Sequence, residues 1–252
     1  MIDTIFWRPL PIATLTVRQF LGGKAVAVVA GLSAIPCLFA LIYSINPDNF
    51  DEASRFMVNV IYRGADVATL LPFTVMILAT AALGYEIDDR TLPYLTLKPI
   101  GRLRIVLEKL IGSVAIAAPI ILAGLAITFV IVFRGASSDH LRLLWAITVS
   151  ASLATVAYTA IFILVSLLIN RALIVGIIYT LLWESLLGRF LPGLRVVSVR
   201  HFTTSIFVDI LNDPRVTLKH ATPLGSAVIT LLLISAASVL LATWRLRRMS
   251  LD

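Results

Sequence analysis

The sequence predicts an all-α integral membrane protein. It has six transmembrane helices, an N-terminal helix lying in the membrane interface, and a short cytoplasmic helix between spans 2 and 3. Three observations carry this reading. The 252 residues are 59% hydrophobic with a mean hydropathy of +0.98, well above the ~45–50% apolar usage of soluble domains. The apolar residues gather into runs that, at ~1.5 Å per residue, match a membrane core of ~30 Å. The charges gather between those runs, most densely from Glu86 to Lys109.

Residues 1 to 24 mix Trp7, Ile12, Leu15, Val17 and Phe20 with Arg8, Arg18 and Lys24, as suits a helix in the membrane interface. Span 1 is read at 25 to 45, longer than the apolar core of a signal peptide and with no small-residue cleavage site after it. Asn46 to Asp66 is polar and is expected outside. Span 2, at 67 to 85, holds Pro72, Thr69, Thr74 and Thr80; span 3, at 110 to 133, holds Pro119. Proline inside a span removes a backbone donor and bends the helix. Arg134 to Arg142 makes a short outer loop before span 4, at 143 to 169.

Asn170 and Arg171 allow only a tight inner turn before span 5, at 172 to 188. That span contains Thr180, Trp183 and Glu184, the last read as the only ionisable side chain inside an apolar run. Such a group costs about 2.5–3.5 kcal/mol at the bilayer centre, so it belongs near the outer boundary, in a cavity or paired, with Arg189 as a candidate partner. The outer segment 189 to 223 breaks at Leu191-Pro192-Gly193; Phe202, Ile206, Phe207, Ile210 and Leu211 then recur at helical spacing and predict a short helix on the outer surface. Span 6 is read at 224 to 244, with Arg245, Arg247 and Arg248 holding its end inside. This layout puts twelve basic residues inside and nine outside, a modest positive-inside bias with both termini cytoplasmic.

The island from Glu86 to Lys109 holds nine charged residues. Its acidic start can cap a helix, a short apolar run follows, and Pro99 ends that run. From Arg102 a new helix runs on to Phe133, too long to end within the membrane core. The island therefore reads as a folded cytoplasmic knuckle.

Its residues carry a resemblance. Glu86, then Arg90-Thr91-Leu92, Tyr94-Leu95, Lys98-Pro99-Ile100 and Arg102, then Lys109 opening the next span, resemble the cytoplasmic segment after span 2 of ABC type-2 exporter permeases. Arg90 stands where a Gly usually precedes the Thr, and Gly101 where a small polar residue is common. The run from Leu182 through Pro192-Gly193 to Val199 resembles the end of span 5 in the same family.

The resemblance implies that the segment contains a coupling helix resting on a separate ATPase subunit. Leu92, Tyr94 and Leu95 would then face the ATPase groove, and Arg90, Lys98 and Arg102 would rim it. It implies a unit of two permeases, homodimer or heterodimer, with two ABC ATPase subunits, in the cell inner (plasma) membrane. Spans 1, 2 and 5 would line the path, which makes Thr69, Thr74, Thr80, Thr180, Trp183 and Glu184 its candidate residues.

Several chemistries are absent. Gly22-Gly23-Lys24 lacks the upstream Gly and the hydroxyl residue of a phosphate loop, so ATP is expected on the partner and no cofactor on this chain. His140, His201 and His220 fall in outer loops, which argues against haem and shows no metal spacing. The spread of basic residues gives no stripe to follow nucleic acid. Cys37, inside span 1, reads as a small buried residue; Pro36 stands where lipoprotein acylation needs a small one. The competing readings are an ATP-independent channel or secondary carrier using Glu184 as a proton or ion site, and an integral membrane enzyme. An apolar path with few charges leans toward hydrophobic cargo.

Overall fold

The computed structural model describes residues 10–45, 50–88, 100–134, 140–169, 171–180, 198–218 and 220–248. Among them every regular element is helical: α1 (Pro11–Leu21), α2 (Lys24–Ser44), α3 (Phe50–Arg55), a π-helical stretch (Phe56–Leu70), α4 (Leu71–Asp88), α5 (Arg102–Phe133), α6 (Leu141–Leu168), α7 (Ala172–Ile178), α8 (Val199–Leu211) and α9 (Leu224–Arg248). Five stretches are long and apolar enough to cross a membrane: Lys24–Ser44, Ala53–Gly84, Arg102–Phe133, Leu141–Leu168 and Leu224–Arg248. The expected span at 172 to 188 is described only as far as Thr180, and the expected short helix before Pro99 lies outside the described residues.

Helix α1 is amphipathic and begins with Pro11, whose missing N–H and fixed φ suit a first helical position. Ile12, Thr16 and Phe20 are buried against α5, while Leu15, Arg18 and Leu21 are exposed. Helix α2 buries Val29, Ser33, Pro36 and Ala40, a one-sided stripe that also packs on α5. The contact is close because α5 offers Gly124, where an added Cβ would run into the Ser33 carbonyl. With no hydrophobic driving force in lipid, such small residues let backbones approach and gain dispersion contacts. Beside them Cys37 Sγ lies 3.3 Å from Thr128 Oγ1, so the thiol is a packing group within the α2–α5 seam.

The segment before Val67, expected to be polar and outside, is helical from Phe50 onward. Residues 50 to 88 form one continuous helical rod, and the membrane-length stretch starts at Ala53. Its first part winds as a π-helix, with Leu71 N–H donating to the Asp66 carbonyl five residues back. Two residues permit this. A Cβ at Gly64 would stand 2.7 Å from the Asn59 carbonyl oxygen, and Pro72, just beyond the stretch, brings no N–H of its own.

Helix α6 lies at the centre, packed by α4, α5, α8 and α9, and is buried along most of its length. The expected short helix after Pro192-Gly193 is α8, and it is packed within the bundle: Val199, Phe202, Ile206 and Phe207 are between 0% and 4% exposed, inserted against α6 and α9. Its polar residues Thr203, Thr204 and Ser205 satisfy themselves on carbonyls one turn back. His201, expected in a loop, sits in the first turn of α8, where its N–H is capped by Ser198 Oγ at 3.2 Å. Asp209 in turn caps α9 by accepting the Leu224 N–H at 3.0 Å.

The contacts fix the direction of each helix. Lys109 of α5 meets Glu86 at the end of α4, and Arg245 of α9 donates to Leu167 at the end of α6. Arg134 at the far end of α5 donates to the Ser44 carbonyl at the end of α2. Helix α1, both ends of the 86–109 segment and the end of α9 therefore share one end of the bundle, here called proximal.

Candidate functional site

The proximal end places two buried charges, Glu108 and Lys109, side by side on the first turns of α5. Lys109 is 2% exposed, a position a lysine occupies only with a partner, and its Nζ lies 2.5 Å from Glu86 Oε1. This ion pair joins the last turn of α4 to the first turns of α5. It closes the mouth of the segment between them.

Glu108, beside it, is 1% exposed. Its Oε2 accepts the Ile12 N–H at 2.7 Å and the Ala13 N–H at 3.3 Å, while its Oε1 accepts from Arg104 Nε at 2.7 Å. The first N–H groups of any helix lack intrahelical acceptors, and Leu10 gives α1 no side-chain cap. A carboxylate from 96 residues away fills that role, where the helix dipole also favours a negative charge. One turn on, a Cβ at Gly112 would come within 2.9 Å of Thr16 Cβ and 3.1 Å of the Ala13 carbonyl, so α1 and α5 touch backbone to backbone.

Of the residues expected to contact a partner ATPase, Glu86 and Arg102 are described. Arg102 is half-buried at the start of α5, and its Nη1 has no acceptor among the described residues. Arg90, Thr91, Leu92, Tyr94, Leu95, Lys98 and Pro99 lie outside them. Glu108 was missed as a site residue because in the sequence it reads only as the i+4 partner of Arg104.

Of the expected path residues, Thr74, Thr80 and Thr180 are buried within the chain and Thr69 is half-buried. Thr69 donates to the Ala65 carbonyl at 2.8 Å and Thr80 to the Met76 carbonyl at 2.7 Å, so both hydroxyls are spent on their own helix. Trp183 and Glu184 lie outside the described residues. Glu184 is not the only ionisable residue in an apolar stretch: Asp66 is 4% exposed inside Ala53–Gly84, and its Oδ2 takes no hydrogen bond among the described residues. Just distal to it, Tyr62 hydrogen-bonds Ser150 of α6 and packs its ring 4.6 Å from that of Phe207 of α8. Beyond this layer a cavity of ≈ 320 Å³ opens between Arg55, His140, Arg142 and Arg215.

The family model described as ABC-2 family transporter protein matches residues 23–185, more than half of the chain and all of the α4–α5 clamp. The chain belongs to this family. It is a multi-pass ABC transporter permease, the membrane component of a transport system, and membership brings with it the membrane as medium and an ABC ATPase as partner. No curated protein matches the chain. Helix α1 precedes the matched range, so the permease's contact between Glu108 and α1 is known from its own geometry alone.

Proposed function

We propose that this permease couples ATP hydrolysis on a separate ABC ATPase to export of a substrate from the cytoplasm. The proximal end faces the cytoplasm, with both termini there, and six spans complete the fold. The observation that carries the reading is the Glu86–Lys109 ion pair. It ties the two ends of the 86–109 segment together at 2.5 Å, so a load on any part of the segment reaches α4 and α5 at once. Residues Thr91 to Leu97 form the coupling helix on the ATPase, Leu92, Tyr94 and Leu95 enter its groove, and Arg90, Lys98, Pro99 and Arg102 form the rim and stop. Two permeases, identical or paired with a paralogue, and two ATPases make the working unit in the inner (plasma) membrane. ATP is bound by the partners, and this chain carries no cofactor and no catalytic group. Thr69, Thr74, Thr80, Thr180, Trp183 and Glu184 belong to the spans that border the path.

The test is co-purification. The ATPase is expected to travel with the wild-type permease, and its recovery to fall about tenfold in Arg90→Glu with Arg102→Glu, the loss of roughly one charge-assisted contact. Equal recovery from a correctly inserted double variant would remove the coupling assignment, and a permease that moves solute without any ATPase would favour the channel or carrier reading.

A further inference from the structure

The structure assigns α1 to the moving part of the permease. We propose that the Glu108 carboxylate fastens the N-terminus of α1 to the arm of α5 that leaves the 86–109 segment, so that the interfacial helix and the arm move as one body. The functional half of this inference rests on the coupling reading above; the fastening stands on geometry alone.

Three features make α1 follow α5 and not α2. The first is the cap. Pro11 has no N–H, so Ile12 and Ala13 supply the first donors of the helix, and both reach Glu108 Oε2. With Oε1 held by Arg104, both carboxylate oxygens are committed, and at 1% exposure little water is at hand to replace either set of donors. The second is the seat one turn along. Gly112 receives Thr16 and Ala13 at distances no side chain could share, and Phe20, 1% exposed, closes the far end of the contact. The third is the connection to α2. It consists of Gly22 and Gly23, both exposed, the residues with the least resistance to a change of backbone angle.

Glu108 and Lys109 are successive residues of α5, about 100° apart around its axis at 3.6 residues per turn. One holds α1 and the other holds α4. A displacement arriving through the 86–109 segment is therefore divided at this point between a membrane-length helix and one whose Leu15, Arg18 and Leu21 face outward. Glu108 is a positioning residue: it acts through α1, and nothing places it against substrate or nucleotide.

The experiment uses the permease with the ATPase that co-purifies, in nanodiscs, with Cys37→Ser removing the native thiol. Spin labels at Leu15→Cys on α1 and Leu224→Cys at the distal end, both exposed, report the separation of α1 from the far side of the bundle. The expected result is a change in this distance between the nucleotide-free and vanadate-trapped complexes, lost in Glu108→Gln and kept in Arg104→Gln. The near-isosteric Gln retains one acceptor, so the fold is held while the charge goes; amide exchange at Ile12 and Ala13 should then rise about tenfold, as for one charge-assisted hydrogen bond. An unchanged distance shift in Glu108→Gln overturns the inference and leaves the coupling reading standing. Equal loss in Arg104→Gln overturns the cap as the fastener. If the parent complex hydrolyses ATP but its labels do not shift, α1 is static and the inference fails alone; if no ATPase co-purifies, the coupling reading fails with it.

Discussion

Lys109→Met gives the sharpest test of the proximal clamp. The lysine is 2% exposed and its partner Glu86 has a side chain 19% exposed, so deleting the cation takes the Nζ contact from a carboxylate with limited access to water. Breaking a fully buried pair from one side costs about 3–5 kcal/mol, and the partial exposure of Glu86 reduces this to roughly 2–3 kcal/mol. For a chain of this length about 2–4 °C of melting temperature corresponds to each kcal/mol, so a fall of about 5–10 °C is expected in detergent or nanodiscs. The diagnostic step is the double variant Glu86→Gln with Lys109→Met. Removing both charges takes away that carboxylate as well, and the pair recovers to within about 1 kcal/mol of the parent, because a buried ion pair replaced on both sides is close to neutral. If the double variant melts as low as Lys109→Met alone, the instability comes from lost packing of the lysine stem, and the ion pair is not what holds α4 to α5.

Three further outcomes follow from the same structure. Gly112→Ala drives a methyl into Thr16 and the Ala13 carbonyl; it should lower stability by about 1–3 kcal/mol and speed exchange of the α1 amides, as read by hydrogen exchange. Gly124→Ala meets the Ser33 backbone carbonyl, which cannot turn aside like a side chain, so it should cost more than Gly112→Ala and lower the yield of folded protein, as measured by size-exclusion chromatography after extraction. Asp66→Asn removes the charge of a carboxylate whose Oδ2 has no partner among the described residues and should raise the melting temperature by several degrees, worth about 1–2 kcal/mol; an unchanged or lower value would show that Asp66 is compensated.

Long apolar runs made the helices legible: the stretch beginning at Arg102 and ending at Phe133 follows from composition and from the charges that bracket it. The mixed faces of α1 and the spacing of Phe202, Ile206 and Phe207 likewise announce helices, although hydropathy alone gives no sign that α8 is inserted among its neighbours. The π stretch was illegible for a physical reason. At 3.6 residues per turn Asp66 stands about 180° from Met57, on the opposite side of the helix. With the i→i+5 bonding of a π-helix, about 4.4 residues per turn, the same nine residues return to within roughly 20°, and Asp66 joins Met57, Ile61 and Tyr62 on the buried face. Glu108 was hidden differently. Its local partner is Arg104, but the donors that define it lie 96 residues earlier, a separation no local pattern records.

The two ends of the molecule are built to different mechanical specifications. At the proximal end Lys109 is paired with Glu86, Glu108 is shared by three donors, and the Gly112 seat brings α1 and α5 backbone to backbone. Each such contact resists relative motion because separating its members exposes a charge or an unpaired amide to a nonpolar surround. Toward the distal side the buried carboxylate of Asp66 takes no hydrogen bond at Oδ2 among the described residues, and beyond it a cavity of ≈ 320 Å³ separates the ends of α3, α6 and α8. The cavity leaves room there for the neighbouring helix ends to shift. On the coupling proposed above, a push delivered to the 86–109 segment would travel through α4 and α5, which the Glu86–Lys109 pair ties together, toward the opposite end of the bundle.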